Sequence, residues 1–237
     1  MKKIILGVYV VYQWLIALPI FALITLFTAI TTMLFAHWRN AEWLHRIQQF
    51  WSRSFFYLLF VKVNVSGTEN IRQGQSYVFV SNHQSMADVF LIYGWLPVIF
   101  KWIMKKELRK VPFVGSACAA AGHIFLERGR TGSALSSIKQ AEATLHDGVC
   151  VVIFPEGTRT KNGQVGRFKR GAFSIAQDLN LPIIPITLQG CYELMPRYRF
   201  FATHCSVSMH IGKEVNLSDF ENQEQAIESI RQIVIDG

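Results

Sequence analysis

Apolar and polar positions follow two regimes along this chain. From Ile4 to Ala36 there is no Asp, Glu, Lys or Arg, a stretch well beyond the ~20 residues that one membrane-crossing helix requires. A secretory leader would have a shorter apolar region and a small-residue cleavage site. One long tilted helix satisfies the pattern, and so do two shorter helices broken at Pro19 that enter and leave on the same side. Lys2 and Lys3 precede the stretch, and Arg39, Arg46 and Arg53 follow it. Positive charge tends to stay on the cytoplasmic side, so the flanks favour the re-entrant hairpin. His37 to Phe60 then carries Trp38, Trp43, Trp51, Phe55, Phe56 and Tyr57. It reads equally as an amphipathic helix lying on a membrane and as an aromatic helix of the domain core.

From residue 61 the period changes. Short β-branched or aromatic runs predict strands at Val61–Val65, Tyr77–Val80, Val98–Ile103, Ile124–Leu126, Val149–Phe154, Ile183–Leu188 and Cys205–Ile211. Met86–Trp95, Gly132–His146, Gly171–Leu179 and Asp219–Ile235 read as helices. In the second, Leu135, Ile138, Ala141 and Leu145 share a face; the last opens on a capping box, Ser218 with Glu221. The alternation predicts an α/β fold, a mostly parallel or mixed sheet flanked by helices in one domain, 61–237. Residues 1–60 are expected to be a membrane anchor and interfacial helix.

Composition agrees with membrane association: 51% of residues are hydrophobic and 17% charged, against about 25% charged in soluble domains. The net charge of +8 is concentrated. Lys101, Lys105, Lys106, Arg109 and Lys110 form one cluster; Arg159, Lys161, Arg167, Lys169 and Arg170 form another. Such patches suit phosphate. Because they lie beside strand-end motifs in a chain with an apolar start, no nucleic-acid partner is expected. Cys118, Cys150, Cys191 and Cys205 show neither C-x-x-C nor zinc-ligand spacing, so free thiols, a reducing compartment and no metal are expected. The sequence has no G-x-S-x-G, P-loop or G-x-G-x-x-G, which removes support for a serine esterase or a nucleotide fold.

Candidate chemistry lies at strand ends. After Tyr77–Val80 comes Asn82-His83-Gln84-Ser85-Met86-Ala87-Asp88. Ser85 reads as the N-cap of the next helix, which puts His83 in the preceding loop and Asp88 in the first turn. Asp88 can then hold one imidazole nitrogen and leave the other free as a base; it reads equally as a capping-box acid. After the apolar run Val149–Phe154, Pro155-Glu156-Gly157-Thr158-Arg159 is a rigid ligand-facing loop whose arginine offers a fork for phosphate, or an ordinary turn with an ion pair. Gly122 to Arg128 is a further strand ending in arginine. Pro182 and Pro185 bracket another strand, and proline is confined to strand starts or edges.

In this order and spacing, these blocks resemble the glycerolipid acyltransferase family, which includes lysophosphatidic acid acyltransferases. The resemblance rests on Asn82, His83 and Asp88; on Gly122, Phe125, Leu126 and Arg128; on Phe154 to Arg159, with Thr160 where the family has serine; and on Pro182 and Pro185. Lys105 to Leu108 and Phe168 to Gly171 are similar to the segments that join them. It implies transfer of a fatty acyl group from acyl-CoA or acyl-carrier protein to a lysophospholipid hydroxyl, such as that of 1-acylglycerol 3-phosphate. On it, His83 is the catalytic base and Asp88 its partner. Arg159, Arg128 and Lys105 hold phosphate, while Glu156, Gly157 and Thr158 belong to the acceptor site. No cofactor is implied, and the domain is placed on the cytoplasmic face of a membrane, as in the bacterial inner membrane.

Overall fold

A computed structural model describes residues 2–38, 40–126 and 148–237. The expected helix over 132–146 and Arg128 lie outside them. The N-terminal stretch is one continuous helix: α1 (Lys2–Tyr12), a π turn (Gln13–Ala17) and α2 (Leu18–Leu34) follow one another with helical backbone at Tyr12, Ala17 and Leu18. The break expected at Pro19 is therefore not there. Proline inside a helix removes one ladder bond and crowds the carbonyl four residues back, and the wider π turn just before it absorbs both defects. The chain reverses later, through a short turn at Ala36–Trp38, into α3 (Glu42–Leu58).

α3 returns along α2 and packs one face into the protein, as the core-helix reading expects, while its other face stays exposed. Leu44, His45, Gln48, Ser52, Ser54 and Phe56 are buried, while Trp43, Phe50 and Tyr57 are exposed. The Trp51 indole donates to Thr25 Oγ1 (2.9 Å) and Gln48 Nε2 to Thr32 Oγ1 (3.2 Å). Tyr9 and Tyr12 donate to the Leu59 and Leu58 carbonyls (2.6 and 3.0 Å). Phe21 packs on Trp51, Phe55 and Phe90. The long helix is thus tied to the rest of the protein from Tyr9 to Thr32.

Seven strands form one sheet: β1 (Val63–Ser66), β2 (Val78–Ser81), β3 (Phe100–Lys105), β4 (Ile124–Leu126), β5 (Cys150–Ile153), β6 (Ile183–Gln189) and β7 (Val207–Ile211), in the order β1-β7-β6-β2-β5-β3-β4. From β6 to β4 neighbours are parallel; β7 runs antiparallel to β6, and β1 follows β7. Side-chain alternation divides the core. Tyr77, Phe79, Phe100 and Trp102 pack with Phe56 of α3 and Leu91 and Ile92 of α4 (Ala87–Trp95). Val78, Val80, Val151 and Ile183 pack with Phe173 of α6 (Gly171–Asp178) and Ile230 of α8 (Gln223–Asp236). The other helices are α5 (Val114–Ala120) and α7 (Cys191–Leu194).

Two local expectations need correction. Pro185 is inside an interior strand rather than at an edge. Its carbonyl accepts from Gly212 N (2.8 Å) and the ladder to β7 begins only at Ile186, so its missing N–H falls where no ladder donor is needed. The α8 cap is not Ser218 but Asn222, whose Oδ1 accepts from Gln225 N (2.9 Å), while Gln225 Oε1 accepts from Glu221 N (3.1 Å). Asn-x-x-Gln meets the same capping requirement four residues later.

Candidate active site

Parallel strands point their C-terminal ends to one edge of a sheet, the usual location of a site in such folds. Here β2 delivers Asn82 and His83 to that edge, β5 delivers Phe154 to Arg159, and β3 ends on Lys105. Asn82 fixes the end of β2. Its Nδ2 donates to the Leu188 carbonyl and its Oδ1 accepts from Leu188 N, each at 2.9 Å, so one side chain replaces a missing rung of sheet. Asn82 is buried. Asn82→Ala would strand a buried N–H and C=O, and should cost about 2–4 kcal/mol in denaturant unfolding.

The structure brings His83 and Asp88 together. His83 Nδ1 and Asp88 Oδ2 are 2.9 Å apart. The same oxygen accepts from Gln84 N (2.6 Å) and Ser85 N (2.7 Å), and Asp88 is fully buried. Two backbone N–H donors hold that oxygen as an acceptor, so Nδ1 is the donor in its contact with Asp88 and Nε2 points away from the carboxylate. The ring lies flat on Phe154 at 3.9 Å and 8°, and its side chain keeps 17% exposure. The expected Ser85 cap takes a different form. The helix starts at Ala87; Ser85 Oγ accepts from Ala87 N (3.1 Å) and donates to the Met195 carbonyl (2.6 Å). Asp88 caps the loop by reaching back to its N–H groups.

The Phe154–Thr160 loop braces His83 from the other side. Glu156 Oε1 accepts from His83 N and Oε2 from Gly166 N, both at 2.8 Å, and Thr160 N donates to the His83 carbonyl (2.8 Å). Glu156 is buried, and burial raises its carboxyl against the lowering pull of those two N–H bonds. Gly157, at φ +75°, closes the turn by donating to the Phe154 carbonyl (3.0 Å), a conformation that favours glycine. Glu156 therefore shapes the site chiefly as a strut behind His83.

Thr158 and Arg159 face a cavity of about 380 Å³, lined also by Lys161, Arg167 and Arg197. Four cations around one cavity suit a phosphate. Lys105 is exposed at the end of β3 and is not among the lining residues. Arg197 escapes a reading of the sequence because it lies outside both basic clusters and all four motif blocks; its one signal is the Arg-aromatic run Arg197 to Phe201.

Beside the site, His123 is buried and its Nδ1 accepts from Trp102 N (3.2 Å). Burial, then the Lys101 charge and His45, push it down from 6.5 to about 3. Stability from keeping this ring neutral is present above its ordinary value and is lost as pH falls toward 3. His123→Gln keeps an acceptor that does not titrate, and should shift the acid-unfolding midpoint to lower pH.

Residues 62–189 match the family described as Acyltransferase. The chain is 37% identical over 153 residues to the chloroplastic 1-acyl-sn-glycerol-3-phosphate acyltransferase LPAT1 of Arabidopsis thaliana, covering 64% of this chain and 42% of that protein. It is 40% identical over 154 residues to the human 1-acyl-sn-glycerol-3-phosphate acyltransferase alpha, covering 64% and 54%. The chain spans about half the length of these relatives. The crystal structure of the 1-acyl-sn-glycerophosphate acyltransferase of Thermotoga maritima superposes with a TM-score of 0.82 at 28% identity, covering 100% of this chain and 96% of that one.

Proposed function

The chain belongs to the acyltransferase family, and from that premise we propose that it transfers a fatty acyl group from a thioester donor, acyl-CoA or acyl-carrier protein, to the free hydroxyl of 1-acylglycerol 3-phosphate. The product is phosphatidic acid, a step of phospholipid synthesis. The observation that carries this reading is the His83–Asp88 pair standing beside a cavity with four cations. Relatives named for this reaction support the choice of acceptor.

In this mechanism, His83 Nε2 takes the acceptor's hydroxyl proton as its oxygen attacks the thioester carbonyl. Asp88 holds the ring in the tautomer that leaves Nε2 basic, and stabilises the imidazolium that forms. Collapse of the tetrahedral intermediate expels the donor thiolate, which takes the proton back from His83. The acceptor is the nucleophile, so no acyl-enzyme forms. Arg159 and its neighbours in the cavity hold the acceptor phosphate, with Glu156, Gly157 and Thr158 setting the shape of that wall. The family resemblance assigns Lys105 and Arg128 to the same phosphate; Lys105 is exposed at the end of β3, and Arg128 lies outside the described residues.

Both lipids reside in a bilayer, and the N-terminal helix suits that location. Ile4, Ile5, Val8, Leu15, Leu23, Phe27 and Leu34 are exposed along it. Its bonds to the protein between Tyr9 and Thr32 cover about 35 Å at 1.5 Å per residue, more than the ~30 Å hydrocarbon core. Crossing would drag those bonded partners into lipid, so the helix lies along one leaflet. The flanking cations support a leaflet on the cytoplasmic side, as in a bacterial inner membrane.

An acceptor panel tests the choice of substrate. Purified full-length protein with each donor should acylate 1-acylglycerol 3-phosphate well ahead of 1-acylglycerol, which lacks the phosphate. Equal rates on the two would overturn the phosphate assignment.

A further inference from the structure

The segment between Met195 and Ala202 joins the catalytic loop to the apolar helix. At one end, Ser85 Oγ donates to the Met195 carbonyl (2.6 Å), and Ser85 bridges Pro196, three residues from Asp88. At the other end, Gln13, which opens the π turn of the long helix, clamps Ala202. Its Nε2 donates to the Ala202 carbonyl and its Oε1 accepts from Ala202 N, each at 2.8 Å. Gln13 is buried although its helical neighbours Trp14, Leu15 and Ile16 are exposed, and π turns occur often at functional positions.

Between these anchors the chain folds outward. Arg199 N donates to the Pro196 carbonyl (3.0 Å), closing a turn with Arg197 and Tyr198 at its tip. Arg199 is held at the base, donating to the Glu193 carbonyl (3.1 Å) and lying over the Phe201 ring. Tyr198 is 69% exposed and Phe200 84%, beside an arginine that lines the phosphate cavity. Aromatic rings interleaved with arginine suit the boundary of a bilayer. The Gln13 clamp ties the loop to the helix whose exposed face is apolar throughout.

We propose that Pro196–Phe201 is an interfacial arm: Tyr198 and Phe200 enter the leaflet along which the N-terminal helix lies, and Arg197 takes the phosphate of a lipid acceptor from the bilayer surface into the cavity. The inference rests on the leaflet placement given above for its first half and on the acceptor reading for its second. The membrane contact stands on the loop and the helix.

Two arms test it on the full chain reconstituted in vesicles of phosphatidylethanolamine and phosphatidylglycerol. In Phe200→Trp, the fluorescence added over wild type should be quenched by lipids brominated on their acyl chains and shielded from aqueous iodide. The reverse pattern overturns the arm, whatever reaction the protein performs. In the kinetic arm, Tyr198→Ser with Phe200→Ser should raise KM about tenfold for a long-chain acceptor presented in vesicles, the scale expected when two rings leave an interface. KM for a six-carbon, monomeric acceptor should change less than about twofold. Arg197→Gln should raise KM for both acceptors, and Arg197→Lys should recover part of the loss. Equal loss on both acceptors in the aromatic variant, or no change in Arg197→Gln, would overturn the proposal. A wild type that transfers no acyl group refutes the acceptor reading and Arg197's part with it, and leaves the quenching result to decide the membrane contact.

Discussion

Replacing His83 with alanine should lower acyl transfer by about 10²- to 10⁴-fold, the range that positioned proton transfer supplies. The pocket would otherwise survive. The bonds that brace residue 83 run through its backbone, with its N–H on Glu156 and its carbonyl on Thr160, and the substitution leaves them in place. Thermal unfolding and vesicle association should therefore stay near wild type while single-turnover transfer collapses. Asp88→Asn should behave similarly for a different reason. Its amide can present an N–H where Oδ2 now accepts from the ring, Gln84 and Ser85, forcing either the other tautomer or a lost loop bond. Near-normal turnover in His83→Ala would mean that the proton leaves by another route.

The second large effect is expected at Arg159. Losing a charge-assisted contact to phosphate costs roughly 1.5–3 kcal/mol, so Arg159→Ala should raise KM for 1-acylglycerol 3-phosphate about 10- to 100-fold. KM for the acyl donor should hardly move. Lys161, Arg167 and Arg197 remain around the cavity, which sets the ceiling on the loss and predicts that Arg159→Lys recovers part of it. The penalty should vanish for an acceptor without phosphate. A loss confined to the donor would assign this cavity to the thioester's own phosphates instead.

The sheet was legible because buried parallel strands read as continuous apolar runs: Val78–Ser81 and Cys150–Ile153 are buried at every position. The His83–Asp88 meeting was legible from five-residue spacing across a loop-to-helix junction. What escaped depends on contacts distant in sequence. The helix continues through Pro19 because a π turn and packing on α3 outweigh a local breaker. Glu156 lines the cavity, but its second part, the bonds to His83 N and Gly166 N, joins segments whose proximity no local pattern reveals. Arg197 joins the cavity only because Ser85 and Gln13 fix the two ends of its loop. Ser218 lost the cap to Asn222 because both satisfy one local rule, and position along the packed helix decided between them.

The most direct test is mass spectrometry of the lipids formed by wild-type protein in vesicles given an acyl thioester, with and without 1-acylglycerol 3-phosphate. The prediction is phosphatidic acid only when the acceptor is present, one free thiol released per lipid formed, and no acyl adduct on the protein. Folded protein that leaves the acceptor unacylated, or that carries a transferable acyl group on one of its own side chains, would contradict direct transfer at His83.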